Sequence, residues 1–508
     1  MKMLLELRDL LNEANKNRIS LTHVKLNETQ QKGVNNIVET IKSGGIALGI
    51  GPPGTGKTIV FNIAQSDVFE KIDEKEVLVY VAPTNRLIEE CAVRTLAFLL
   101  SKGYNENDLK SLIRVYGSRF KPEHLKEDVK VVFTTPYQPG ALKSLSKIKS
   151  HVHIMVDEAS TTPLHGPFIE TAMAMAEIIR KREGALEWIY SFSVIGDPMQ
   201  AITERYTLRD KFELLIVGRL LLGIIPEDER SYALQNPPAL FELAEKYHSS
   251  FGIGYFFLKY TYRIPEPTEL IVSVPFYNKI LKGIESYEKR LKNIKEKTPS
   301  ATSWILQNCS FLRDKSDIVD VIDNSLDSQI PIVYLKDKGP AYLYEKGRSL
   351  LEMEELDIKR AEVASEVAAY LAVLTADNVT IDVLTPYVEM KTQIQMRLKA
   401  LIGSREELKR RIRVSTVHSA LGSEADIIVA VLGKEYKGKE EEKMTIYFQT
   451  PELINVQFSR HRRMLVIIGN IEKLANAFKK TRTPYVSLLT TAFSELKERG
   501  LISEVKFS

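Results

Sequence analysis

The chain is poor in the residues that build small stapled or metal-bound folds. Its 508 residues hold two cysteines, Cys91 and Cys309, which cannot make a disulfide framework or a four-cysteine zinc or iron–sulfur site. Long apolar runs are missing too. The longest, Leu214–Ile225, is broken by Arg219 and is too short to cross a bilayer. The opening stretch carries Glu6, Arg8 and Asp9 among its leucines, which does not fit a signal peptide. Its leucines at 4, 7, 10 and 11 suit an amphipathic helix packed on the body. A cytoplasmic protein without a membrane partner is the expectation. Charge of one sign is also lacking. The net +4 is too small to argue for nucleic acid, so any basic track must be local. Internal repeats and low-complexity segments are absent, and charged stretches such as Lys437–Met444 read as solvated loops. With 44% apolar and 27% charged residues, the chain reads as ordinary globular protein in two to four domains.

What is present begins at residue 46, "IALGIGPPGTGKTIV". A short apolar strand meets a loop that fits G-x-x-x-x-G-K-[ST]: Gly51, Pro52, Pro53, Gly54, Thr55, Gly56, Lys57 and Thr58. Glycines let the backbone close on an anion, and the N–H groups of the following helix converge on it. Lys57 then neutralises the β- and γ-phosphates of ATP, and the Thr58 hydroxyl takes one position on Mg²⁺. The bland alternative is a ligand-free turn between strand and helix.

Apolar runs recur at Val77–Ala82, Val129–Thr135, His151–Val156 and Ser191–Gly196, with helical stretches between them. That alternation predicts a parallel sheet with ligands at its carboxyl ends. One run ends in Asp157-Glu158. There the first acid holds Mg²⁺ and the second orients or deprotonates water, or the pair simply caps a helix. Another ends in "GDPMQ", where Gln200 reaches the γ-phosphate or the attacking water, or Asp197 only shapes a turn. Upstream, Asn27 and Gln30 suit a capping arrangement, and the Gln30 amide also matches the donor–acceptor edge of adenine.

In order, "LNETQ", "GPPGTGKT", "APTN", "VVFTT", "DEAS", "GDPMQ", "YTYRIP", "LTPY", "STVHSALGSEAD" and "NVQFSRHRRMLVIIGN" resemble the motifs of the superfamily 1 helicases, from Leu26 to Asn470. "APTN", "TYRIPEP" and "NVQFSRHR" look like the 5′→3′ group typified by the nonsense-mediated-decay RNA helicase. "VHSALGSEAD" leans toward the bacterial recombination and telomere-associated helicases of the same polarity. The resemblance implies an α/β fold of two tandem RecA-like P-loop domains, 1–257 and 258–508, with ATP in the cleft between them. Arg263 and Arg460 then serve the γ-phosphate, Tyr262 stacks on adenine, and Glu424 holds the ribose. It also implies a single strand of DNA or RNA along Pro83, Thr84, Asn85, Thr134 and Thr135, then Pro386, Tyr387, Thr416, His418 and Ser419. His418 has an equally good reading as a structural histidine. The implied protein is a monomeric ATP-dependent helicase. The rival is a nucleotide-switched binding protein that clamps a partner and hydrolyses slowly.

Four places depart from the family pattern: Thr261, Met390, Leu421, and the pair Gln457 and His461. Leu421 stands where the family has an amide that links the ATP site to the strand, so weaker or rerouted coupling is expected. About 25 residues precede the first motif, so no stalked barrel is expected there. Extra sequence at 97–128, 161–188, 201–238 and 282–328 reads as small accessory lobes. Arg405–Val414, "REELKRRIRV", is either a basic strand-facing edge or a solvated helix face.

Overall fold

The computed structural model describes residues 5–18, 22–119, 126–138, 145, 149, 151–161, 189–200, 215–296, 299–338, 355–420, 422–433, 450–479 and 483–507. Its contacts divide the chain into one unit of Met1–Leu234 with Leu240–Lys259 and a second of Gln235–Ala239 with Tyr260–Ser508.

In the first unit, α1 (Leu7–Lys16) buries Leu7, Leu10 and Leu11, three and four residues apart on one face. Leu4 lies outside the described residues. Helix α2 (Glu28–Ser43) starts where Asn27 Oδ1 accepts from the Thr29 and Gln30 N–H groups and Gln30 Oε1 accepts from the Asn27 N–H. This reciprocal cap satisfies donors the helix cannot. The chain continues through β1 (Gly45–Ile50), α3 (Lys57–Val68), β2 (Glu76–Val81), α4 (Asn85–Ser101), α5 (Glu106–Leu112), β3 (Ile113–Tyr116), β4 (Val131–Thr134), β5 (His151–Val156) and β6 (Ile189–Gly196). Helices α6 (Ile216–Ile224), α7 (Glu227–Gln235) and α8 (Leu240–Tyr247) precede β7 (Ile253–Phe257).

The seven strands pair in the order β3-β4-β2-β5-β6-β1-β7, every pair parallel. The interior strand β2 is buried from Val77 to Val81. That is why it reads as an unbroken apolar run rather than an alternating one. The order makes β5, β6 and β1 neighbours, so the ends of the Asp157-Glu158, Gly-Asp-Pro and P-loop strands come side by side.

The second unit opens with β8 (Tyr260–Thr261), α9 (Leu270–Tyr277), β9 (Lys282–Gly283), α10 (Tyr287–Leu291), α11 (Pro299–Asn308), α12 (Ser310–Asp314) and α13 (Ser316–Asp327). Then come β10 (Ile332–Lys336), α14 (Glu355–Leu374), β11 (Ile381–Thr385), α15 (Val388–Ile402), α16 (Glu406–Arg411), β12 (Ile412–Thr416), β13 (Ala425–Val431), α17 (Glu452–Phe458), β14 (His461–Gly469), α18 (Ile471–Phe478), α19 (Leu489–Glu498) and β15 (Ile502–Lys506). Its six-stranded sheet runs β12-β11-β13-β14-β10-β15, again all parallel. Both units are thus α/β layers built on an all-parallel sheet.

Two stretches expected as accessory lobes are built into these cores. Residues 97–101 finish α4, and after α5 the strand β3 pairs with β4 as Ile113↔Val131 through Tyr116↔Thr134. A mixed run such as Ile113-Arg114-Val115-Tyr116 belongs at a sheet edge, and the sequence reading passed over it. Likewise Leu291, Ile305, Leu312, Ile318, Ile322 and Leu326, all between residues 282 and 328, lie buried in the core of the second unit. In the stretch 201–238, α6 packs on β6 and β1. Residues 162–188 and 201–214 lie outside the described residues, as do Lys437–Met444. Among the described residues no helix is long and apolar enough to cross a membrane.

Candidate nucleotide site and strand-end face

Between β1 and α3 the loop closes tightly on itself. A Cβ on Gly51 would lie 2.3 Å from Lys57 Cγ, and one on Gly56 would lie 2.6 Å from Gln30 Nε2 at a φ of +82°. Neither position accepts a side chain without displacing the lysine or the amide. The Gly51 N–H donates to Gly196 O at 2.9 Å, which ties the P-loop to the end of β6. Lys57 Nζ donates to Gly51 O at 3.0 Å and lies 3.2 Å from Glu158 Oε1. Gln30 Nε2 donates to Thr55 O at 3.0 Å. Both ends of its amide are therefore committed, one to the helix cap and one to the loop.

Thr58 Oγ1 donates to Asp157 Oδ2 at 2.7 Å, the Tyr80 hydroxyl donates to the same oxygen at 2.7 Å, and the Glu158 N–H donates to Oδ1 at 2.8 Å. Burial pushes the Asp157 carboxyl above its usual range and the neighbouring Glu158 adds to that, while Thr58, Tyr80 and Lys57 pull it back. A carboxylate in such an enclosure is stabilised by a cation placed against it. With its hydrogen given to Asp157, the Thr58 oxygen keeps its lone pairs for the same ion. A hydroxyl and a carboxylate are the hard oxygen donors Mg²⁺ takes, so these residues fit the expected metal. Glu158 holds a left-handed backbone, φ 48°, which is costly for a side chain with a Cβ and typical of functional positions. The "GDPMQ" segment forms a capped turn. Asp197 Oδ1 accepts from the Met199 N–H at 3.0 Å, and the Gln200 amide donates to Asp197 Oδ2.

In the second unit, Thr261 Oγ1 accepts from the Arg263 and Ile264 N–H groups at 3.2 and 3.3 Å. This departing residue shapes the turn that presents Tyr262, which is exposed, and Arg263. Arg290 donates to the carbonyls of Tyr262, Arg263 and Arg462 and so stitches the turn to β14. Arg263 Nε pairs with Glu424 Oε2 at 2.8 Å, and Arg462 reaches Glu424 Oε1 at 3.5 Å. Burial raises the Glu424 carboxyl, but Arg263, Arg462 and Arg460 outweigh it and hold it below its usual range. Arg460 is buried just before β14, its carbonyl accepting from the Ala425 N–H at 3.1 Å. The second unit therefore gathers Arg263, Glu424 and Arg460 into one charged neighbourhood.

The other departures among the described residues are structural. Gln457 Nε2 donates to Leu384 O and Val431 O at 2.9 and 2.8 Å, closing the ends of β11 and β13. Met390 is a buried residue of α15, and Leu421 lies outside the described residues. His461 is fully buried between Phe458 O and Thr268 Oγ1, each 3.0 Å from a ring nitrogen. Burial, more than the nearby arginines, lowers its pKa to about 4 from 6.5. The unfolded chain therefore takes up the proton first as pH falls. The stability from a neutral His461 is complete above about pH 6.5, is lost down to about pH 4, and amounts to at most ~3 kcal/mol. The melting-temperature gap between wild type and His461→Gln should narrow as the buffer moves from neutral to mildly acid. A gap that stays constant would show that His461 does not titrate in this window.

The residues expected to touch a strand lie at carboxyl ends of adjacent strands, β2 and β4 in one unit and β11 and β12 in the other. Pro83, Thr84 and Asn85 follow β2. Thr84 caps α4 through the Leu87 N–H at 3.3 Å, and Asn85 Nδ2 donates to Ser118 Oγ at 2.9 Å. Thr134 is fully buried and Thr135 is 5% exposed. Their side chains are packed into the unit rather than offered to a strand. Pro386 is buried and Tyr387 half-buried against the core. Thr416 and Ser419 bond each other at 3.1 Å, with His418 half-buried between them. His418 and Ser419 follow the end of β12, and Glu424 directly precedes β13. Arg405, in the basic stretch, lies over the Trp304 ring at 3.6 Å.

Sequence reasoning missed two residues. Tyr80 reads as a core aromatic, and only its partner Asp157 reveals it. Tyr137, 61% exposed just beyond β4, was visible as an aromatic directly after Thr134-Thr135-Pro136.

Comparison with known proteins gives two family models: "DEAD/DEAH box helicase" over residues 27–183 and "AAA domain" over residues 239–472. The chain is 22% identical over 498 residues to a putative helicase MOV-10 of Gallus gallus, covering 89% of this chain and 45% of that protein. It therefore spans less than half the length of this curated relative. Similar solved structures include the DUF1998 helicase MrfA bound to DNA and AMPPNP, with a TM-score of 0.43 and 14% identity, covering 96% of this chain and 52% of that one. Another is S. cerevisiae Dbp5 bound to RNA and ADP–BeF3, with a TM-score of 0.43 and 10% identity, covering 98% and 95%.

Proposed function

We propose that this chain, which belongs to the superfamily 1 helicases, hydrolyses ATP with Mg²⁺ to move 5′→3′ along single-stranded DNA or RNA and to separate duplexes. The observation that carries the reading is the assembly of Lys57, Thr58, Asp157 and Glu158 at the meeting point of β1, β5 and α3. Lys57 exchanges Gly51 O and Glu158 for the terminal phosphates. Glu158, freed of the lysine, accepts a proton from the attacking water. Thr58 and Asp157 hold the metal, whose charge offsets that of the phosphates. Gln200 senses the γ-phosphate by leaving Asp197, and Gln30 meets the adenine edge by giving up the Asn27 N–H and Thr55 O while Asn27 still caps its helix. From the second unit, Tyr262 stacks on the base, Glu424 holds the ribose, and Arg263 and Arg460 supply positive charge for the transition state. The hydroxyl, amide and backbone groups at the strand ends track a sugar–phosphate chain without reading its sequence. The similarity to a putative helicase, MOV-10, supports the helicase part of this reading.

The test is ATP turnover with and without added DNA or RNA strands, followed by displacement of duplexes bearing 5′ or 3′ overhangs. Strand-stimulated turnover, with displacement only from 5′ overhangs, is expected. Displacement only from 3′ overhangs refutes the polarity. Turnover without any displacement replaces the reading by the nucleotide-switched binder.

A further inference from the structure

The tripeptide Thr-Pro-Tyr occurs at Thr135-Pro136-Tyr137 and again at Thr385-Pro386-Tyr387. A third copy, Thr483-Pro484-Tyr485, opens a 3-10 turn and buries its ring, so the tripeptide alone does not define a site. Placement does. The first two copies stand at the carboxyl ends of β4 and β11, and each of those strands is second from the edge of its own sheet. The two units thus repeat one sequence element at one topological position.

At the first copy, the Gln138 N–H donates to Thr135 O at 3.2 Å. That closes a β-turn with Pro136 at its second position, where the fixed φ of proline pre-forms the bend. The third position is Tyr137. Its ring is 61% exposed, more than any other aromatic of the described residues, and makes no hydrogen bond or ring contact among them. A large planar side chain held in a stiff turn and left in water is the arrangement that binds a flat partner at small entropic cost. On the neighbouring strand end stand the Thr84 hydroxyl and the Asn85 amide, groups suited to a phosphodiester. At the second copy, Thr385 Oγ1 donates to Tyr387 O at 2.8 Å, the ring is half-buried, and Val388 beside it is 63% exposed.

We propose that Tyr137 is a stacking platform for one base of a single-stranded nucleic acid, an apolar contact added to the sugar–phosphate contacts of its neighbours. Every base offers a flat face, so the contact tolerates any sequence. The inference rests on the strand-binding part of the function proposed above and names a residue and a chemical group that reading does not include.

The test is fluorescence anisotropy of the full chain with labelled oligo(dT) and oligo(U), and with a strand of the same length whose internal residues are abasic. Wild type should bind the strand with bases more tightly than the abasic one. Tyr137→Ala should weaken binding of the strand with bases about tenfold, leave the abasic strand unchanged, and so lose the discrimination. Tyr137→Phe, which keeps the ring, should restore it. Equal melting temperatures exclude misfolding, which an exposed side chain does not favour. If wild type discriminates and Tyr137→Ala discriminates equally, this inference alone falls. If wild type binds both strands alike, stacking is refuted. If wild type binds no strand, the strand-binding reading itself falls and this inference with it.

Discussion

Glu158→Gln is expected to lower ATP turnover by about 10²–10⁴-fold while nucleotide binding is kept. The substitution preserves the size and hydrogen-bonding reach of the side chain and removes only its capacity to take a proton. It also removes the ion pair with Lys57, 3.2 Å away, so the lysine no longer has to leave a charged partner to reach phosphate. Affinity for ATP should therefore hold or rise modestly while hydrolysis stops. The backbone of Glu158 is left-handed at φ 48°, and glutamine meets the same strain, so the two chains should melt alike. Binding of a fluorescent ATP analogue beside phosphate release measures both halves of the claim. Turnover like that of wild type would remove Glu158 from the chemistry. Loss of binding together with turnover would make it a structural partner of Lys57.

What the sequence could convey followed from how local each feature is. The P-loop, the Asn27–Gln30 cap and the buried strands are set within a few residues of chain. Spacing and residue type are enough to read them. The course of 97–128 and 282–328 depends on partners far along the chain. Ile113 finds its register only beside Val131, and Ile305 and Ile322 only in a core completed by α14 and the sheet. A motif-by-motif comparison treats such stretches as additions because no short pattern marks them. Side-chain access escaped for the same reason. Thr134 and Tyr137 are three residues apart at one strand end, yet one is fully buried and the other 61% exposed. The departing residues show the converse. Gln457 and His461 break the family pattern, and each is satisfied by carbonyls or a hydroxyl of its own unit. They are repacking around a retained geometry rather than lost chemistry.

Arg460→Ala is expected to lower turnover by about 10³–10⁵-fold with a much smaller loss of nucleotide affinity. Of the two arginines drawn from the second unit, Arg263 is committed to Glu424 at 2.8 Å. Its removal should therefore also release the carboxylate expected to hold the ribose, and affinity should fall with rate. Arg460 immediately precedes β14 and lowers the Glu424 carboxyl less than Arg263 and Arg462 do. Its loss should accordingly fall mainly on the transition state, where charge on the transferred phosphoryl group is greatest. Arg460→Lys should recover little, because a point charge lacks the fork that meets two oxygens. Since Arg460 is buried, melting curves and the binding of an ATP analogue must accompany the rates. A chain that melts like wild type, binds nucleotide and does not hydrolyse it has lost a charge needed only as the bond breaks. Equal losses of affinity and rate would instead assign Arg460 to holding the ground state, and the division of labour between the two arginines would be wrong.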